Sequence, residues 1–416
     1  LGYDEQSTPA LEQHVQKILK QPIHHVTQNL PSVNTKTGSQ TVLTVNPEHC
    51  KANLALNSSQ YDRIKTMVTA ARTHSEVNEF HDLSTPWKNL LQLIEQDDLI
   101  KVLDLYNTID AKDPVKSAME TIHGKPYILQ LICASVVARF HSICLGDSDV
   151  VIDNKGFETL VQQYHAVIQS QQPENRRAFN FLIGPPGHHC HKKAAGFCTS
   201  NSGALTVLKT APNEFCYIVG LDINADNGLN NVLKQVTSHP SWNESLKIRH
   251  DDIYASNVYP IIKMEESRSP YYHYHPIDIA EGEKPIEKQS SAELMSAIMR
   301  NRVTDICLRA HSHQAMHLVL ILGFDSHIKD GSFGIGTNIS RRRFSDADMT
   351  LLYTTIQKCM IQYPQRFHCT AITEGGYSIH LLKEQVNAMM KIVSSTPQKE
   401  TVPAIDTTPQ SNSISF

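Results

Sequence analysis

The sequence predicts an α/β fold with a mostly parallel sheet covered by helices on both faces. Three observations carry this. Short, nearly continuous apolar runs recur through the second half of the chain. Stretches with helical spacing separate them, and strands that are apolar throughout and joined by helices pair in parallel. Each run also ends in glycine together with His, Asp or Tyr, and parallel sheets bind ligands beyond the carboxyl ends of their strands.

Residues 1–45 are rich in Gln, Thr, Ser, Asn and Pro, with little periodicity beyond 11–19, and read as an extension. The body, 46–392, is taken as one domain. Within it the run AFNFLI (178–183) leads to GPPGHH, FCYIVGL (215–221) to DINADNG, LVLILGF (318–324) to DSHIKD, and FHCTAIT (367–373) to EGGY. Helices are expected over 203–210, 231–237, 292–310 and 346–362. Ser290 with Glu293, and Ser345 with Asp348, have capping-box spacing for the last two. Residues 393–416 are a Ser/Thr/Pro-rich tail, too polar to offset its ordering entropy.

Composition narrows the function. With 40% apolar residues, the 416-residue chain can bury a sizeable core. A net charge of −4 provides no basic field, so direct nucleic-acid binding is not expected, whereas a basic peptide partner is acceptable. No run reaches the roughly 18 apolar residues of a membrane span, and the first thirty residues lack a secretory core. A soluble protein with no membrane partner is the expectation. The nine cysteines form no CxxC pair, which points to free thiols in a reducing compartment, cytoplasm or nucleus.

The strand ends carry the chemistry. His188 and His189 follow a tight GPPG turn, and imidazole is the group best suited to proton transfer near neutrality; a loop pair on the surface is the plain alternative. Asp222 and Asp325 each follow an apolar run. A carboxylate there is costly unless paired or bound to a cation, so two from different strands suggest a divalent-metal site; helix caps are the plain alternative. Asp222, Asn224 and Asp226 imitate the start of a calcium loop, but Asn227 and Leu233 stand where that loop needs Gly and Glu. Tyr377 follows Gly375 and Gly376 and could donate to a developing oxyanion, or simply pack in a turn.

In this order, GPPGHH, GFC followed by Asn201, LDI-x-x-x-NG, GFDSH and EGGY resemble the zinc-dependent histone deacetylase and acetylpolyamine amidohydrolase family, most closely its class II branch. The resemblance covers roughly 179–382. It implies an arginase/deacetylase-like fold with an eight-stranded sheet. It implies a Zn2+ held by Asp222, Asp325 and position 224, with His188 and His189 as the electrostatic and general-base pair. Tyr377 would polarise the acetyl carbonyl, and Phe197, Tyr259 and Gly376 would line the acyl-lysine tunnel. The implied reaction is hydrolysis of acetyl-lysine in protein tails, histones among them.

Two positions depart from the family pattern. Asn224 replaces the ligand histidine, which implies weakened zinc, a harder metal, or a substitute such as His191 or His327. Gly220 replaces an acidic residue that orients one histidine and helps bind potassium, so that support and the potassium site would be lost. Three functions follow: a protein lysine deacetylase, a deacetylase of small acetylated amines such as polyamines, and a degenerate module that binds acetyl-lysine or a partner without turnover. The insert YYHYHP (271–276) and the run Arg341-Arg342-Arg343 read as surface loop and solvated turn, although the first could shape a rim and the second meet an acidic partner. The polar tail and divergent N-terminal half would also suit a bacterial protein delivered into a host cell.

Overall fold

The computed structural model describes residues 36–45, 47, 54–55, 58–79, 83–96, 98–139, 142–146, 150–172, 175–210, 213–237, 247–255, 272–277, 291–331 and 343–395. Its main sheet uses β1 (Lys36–Thr44), β2 (Val77–Glu79), β3 (Arg177–Ile183), β4 (Phe215–Leu221), β5 (Lys247–Ala255), β6 (Tyr272–Ile277), β7 (Met316–Leu322) and β8 (Phe367–Thr373). The spatial order is β6-β5-β4-β7-β8-β3-β1-β2. Six strands, β5 to β1, make the centre; β6 and the three-residue β2 extend it to eight. Every neighbouring pair is parallel.

Strands β4, β7 and β8 are buried at every residue, which is why they read as unbroken apolar runs. Their side chains alternate between two cores. Tyr217, Val219, Leu318 and Leu320 pack on one face with α1 (Gln60–Ala71), α9 (Ser291–Ser312), α10 (Asp346–Gln362) and α11 (Ile379–Ser394). Cys216, Ile218, Val319 and Ile321 pack on the other. There they meet α2 (Thr85–Gln96), α3 (Leu99–Thr108), α4 (Pro114–His123), α5 (Lys125–Val137), α6 (Gly156–Ser170), α7 (Ser202–Leu208) and α8 (Asn227–Thr237).

Some boundaries move for local reasons. Helix α10 starts where expected, with the Ser345–Asp348 capping box formed; Ser290 lies outside the described residues. Helix α7 starts at 202 because the Asn201 side chain accepts from Ala204 N at 2.8 Å. The run 318–324 shifts to 316–322, and Phe324–Ser326 forms a 3₁₀ turn after Gly323. The largest correction is β1. Residues 36–44, expected in an extension, form a strand between β3 and β2, with Val42 and Leu43 buried on opposite faces. Residues 1–35 and 396–416 lie outside the described part, as do Tyr259, Arg341 and Arg342. The YYHYHP insert becomes edge strand β6 over 272–277.

Candidate metal and histidine centre

The ends of β3, β4, β7 and β8 bring the expected residues together. After β3, the GPPGHH turn is held by Glu374 at the end of β8: its Oε2 accepts from Gly187 N at 2.5 Å and His188 N at 3.2 Å. The turn is also tied to α8, where Leu229 N donates to the His188 carbonyl at 3.0 Å. Burial pushes the Glu374 carboxyl up to about 7, against the opposing charge of His188.

Asp222, after β4, and Asp325, in the turn after β7, are both buried. Asp222 accepts from Gly375 N at 2.9 Å and Asn224 N at 2.9 Å, and Asp325 Oδ1 accepts from Ile223 N at 3.2 Å. Gly375 is what lets them converge: a Cβ there would lie 1.9 Å from Asp325 Oδ2 and 2.7 Å from Asp222 Oδ2. Asp325 Oδ2 has no hydrogen-bond partner. Burial, then the nearby Asp222 and Asp330 carboxylates, push the Asp325 carboxyl well above its ordinary value. Burial also raises Asp222, against His188. An ionised carboxylate buried without a donor costs several kcal/mol. Asp325 Oδ2, without a donor and with the Asp222 carboxylate beside it, therefore fits a divalent cation, and an oxygen-rich set suits a cation harder than zinc.

The two imidazoles lie beside these carboxylates with ring centroids 4.0 Å apart. His188 Nδ1 donates to Asp226 Oδ1 at 2.8 Å, while its Nε2 lies 3.9 Å from Asp222 Oδ1. His189 Nδ1 meets Asn227 Oδ1 at 2.6 Å. The pair is split electrically. Burial opposes protonation of His188, but Asp222 and Asp226 outweigh it and raise the ring well above its ordinary value. His189 is held well below by burial and by the adjacent His188. Two titratable groups pushed apart in this way mark an acid–base pair.

Tyr377 completes the group. Its backbone N donates to Asp330 Oδ2 at 2.8 Å, and burial followed by the Asp325 charge keeps its phenol protonated far above neutrality. The Phe197 ring meets it edge-on, centroids 6.2 Å apart. Phe197 is the one non-glycine residue at positive φ (62°) among the described residues, a conformation costing about 1–3 kcal/mol and typical of sites where geometry is dictated by function. Buried Arg63 from α1 donates to the carbonyls of Glu374 and Gly376 and lies over the Tyr377 ring.

Asn224 follows directly, with its amide on Asp222. The proposed substitutes do not come. His191 Nε2 pairs with Gln235 at 3.0 Å, and His327 faces Asp346 and Gln385. The expectation that Gly220 leaves a histidine without acidic support is also corrected, because Asp226 supplies it. Asp226, Glu374, His250 and Arg63 were missed. GPPGHH and EGGY pointed to their own residues, but nothing in sequence tied Arg63 to Glu374, 311 positions away.

The family model for the histone deacetylase domain matches residues 84–393. The chain is similar to a solved HDA15 HD domain, at 15% identity and TM-score 0.57, over 87% of this chain and 91% of that one. It is also similar to acetylpolyamine aminohydrolase from Burkholderia pseudomallei, at 18% identity and TM-score 0.52, over 85% and 99%. No curated protein matches in sequence.

Proposed function

Since the chain belongs to the histone deacetylase domain family, we propose that it is a metal-dependent amidohydrolase removing acetyl groups from lysine side chains in protein tails, histone tails among them. The carrying observation is the Asp222–Asp325 pair, buried and one donor short, set against a histidine pair of split proton affinity.

Asp222, Asp325 and Asn224 would hold the cation, Zn2+ by family resemblance and more weakly than with imidazole. Such a cation supplies Lewis-acid polarisation of the amide and acidification of water. His189, neutral at physiological pH, takes the proton from the attacking water and returns it to the leaving lysine amine. His188, fixed on Asp226, keeps its proton on Nδ1 and balances the charge that develops beside it. Tyr377 donates to the carbonyl oxygen as it becomes an oxyanion. Phe197 and Gly376 flank the path of the four-carbon lysine stem, an apolar surface suited to a neutral acetamide head.

Asn224 favours a second reading, a module that binds acetyl-lysine without turnover. Elemental analysis together with hydrolysis of an acetylated histone peptide and of acetylspermidine separates the possibilities. We expect bound divalent metal, peptide hydrolysis, and a loss of about 10²–10³ in kcat for Tyr377→Phe with little change in KM. Turnover of acetylspermidine alone would move the substrate to polyamines. No metal and no turnover would leave the binding module.

A further inference from the structure

We propose that Asp226 is the positioning residue for His188 and that Gly220 is its steric counterpart, the carboxylate having moved from the strand to the turn. The inference rests on the deacetylase reading for its functional consequence; its geometry stands independently.

Gly220 is the penultimate residue of β4, in register with Asp252 on β5. A Cβ built there would lie 2.4 Å from Asp226 Oδ2 and 2.6 Å from Asp252 Oδ1. Two carboxylates therefore occupy the space that a side chain at 220 would need. Asp226 is fully buried and both of its oxygens are used: Oδ1 accepts from His188 Nδ1 at 2.8 Å, and Oδ2 meets His250 Nε2 at 2.9 Å. Its own N–H is anchored on Asp252 Oδ2 at 2.9 Å. A hydrogen bond from Nδ1 fixes the ring plane, leaving Nε2 on the side of Asp222, 3.9 Å from its Oδ1. Position 220 cannot carry a second carboxylate while Asp226 is present. The two positions are alternatives, and the chain uses the one on the turn.

The decisive comparison uses Asp226→Gly, Gly220→Asp and the double substitution in the full chain. In Asp226→Gly, kcat on an acetyl-lysine peptide should fall about 10–100-fold, as when a residue orienting a functional group is lost, with KM nearly unchanged. Gly220→Asp alone should be impaired by the 2.4 Å contact. The double substitution, or the triple in which Asp252→Ala also clears the second carboxylate 2.6 Å from that Cβ, should recover most of the lost kcat, because the carboxylate is restored from the strand. Full kcat in Asp226→Gly, or no recovery in either the double or the triple substitution, overturns the proposal. Imidazole ¹⁵N spectra of the metal-free proteins give a readout independent of turnover. The hydrogen-bonded Nδ1 resonance of His188 should shift in Asp226→Gly and return in the double or triple substitution; an unchanged His188 signature overturns the proposal even if no protein hydrolyses anything. Should Asp226→Gly fail to fold, Asp226→Asn replaces it: a loss of about tenfold in kcat at unchanged KM supports the role, and full kcat refutes it.

Discussion

Two buried histidine pairs sit at opposite ends of one sheet, and they differ in how the carboxylate beside each is compensated. At the carboxyl ends, His188 and His189 lie 4.0 Å apart between centroids; at the amino ends, His317 and His368, register partners on β7 and β8, are stacked at the same distance. Glu214, His317 and His368 even have ligand atoms within 4.8 Å of one another. That cluster nevertheless holds its own cation. Arg176 pairs with Glu214 and donates to His368 Nε2 at 2.6 Å. His317 meets Thr210 Oγ1 at 2.8 Å and Thr370 Oγ1 at 2.9 Å. At the other end, Asp325 Oδ2 has no donor. A buried cluster whose carboxylate already has its cation is scaffold; one whose carboxylate lacks a donor is a place for something to bind.

The largest expected effect is at Asp325. Asp325→Asn should lower peptide hydrolysis by about 10³-fold or more and abolish metal binding, yet raise the melting temperature of the metal-free protein. The sign follows from linkage. The folded-state carboxyl is raised, so metal-free stability is lost as pH climbs from the ordinary carboxylate range through the raised value. Asn removes that loss. Calorimetry across a pH series checks it, and a lower melting temperature would mean the carboxylate is already compensated.

At the opposite end, Arg176→Met should cost about 3–5 kcal/mol in urea unfolding, because buried Glu214 loses its cationic partner. Bound metal and KM should not change. A small cost would make the two ends alike and remove the contrast.

The smallest effect concerns the split between His188 and His189. His189 faces Asn227, a neutral partner, and is held well below its ordinary value. Asn227→Asp would favour the imidazolium, so the acid limb of kcat/KM should move to higher pH while the plateau changes little. An unmoved limb would assign the base to another group.

His188, His189, Asp222, Asp325 and Tyr377 were legible because each lies at the end of an apolar run beside glycine, where strand direction alone dictates the site. Strand β1 was not legible, since KTGSQTVLT shows its apolar character only late, and its burial depends on β3 and β2 arriving on either side. The helices α1–α6 carry no chemical motif, yet they reach the site through Arg63 and through Tyr127, which donates to the Thr199 carbonyl at 2.8 Å.

Sequence alone therefore determined the layered α/β plan and the residues at the strand ends, because both follow from local periodicity and from the carboxyl-end rule for parallel sheets. Only the tertiary structure decided which carboxylate holds which histidine, which cluster already contains its cation, and which oxygen is left over. Those are questions of distance between residues remote in the chain, and of charge balance in a space from which water is excluded.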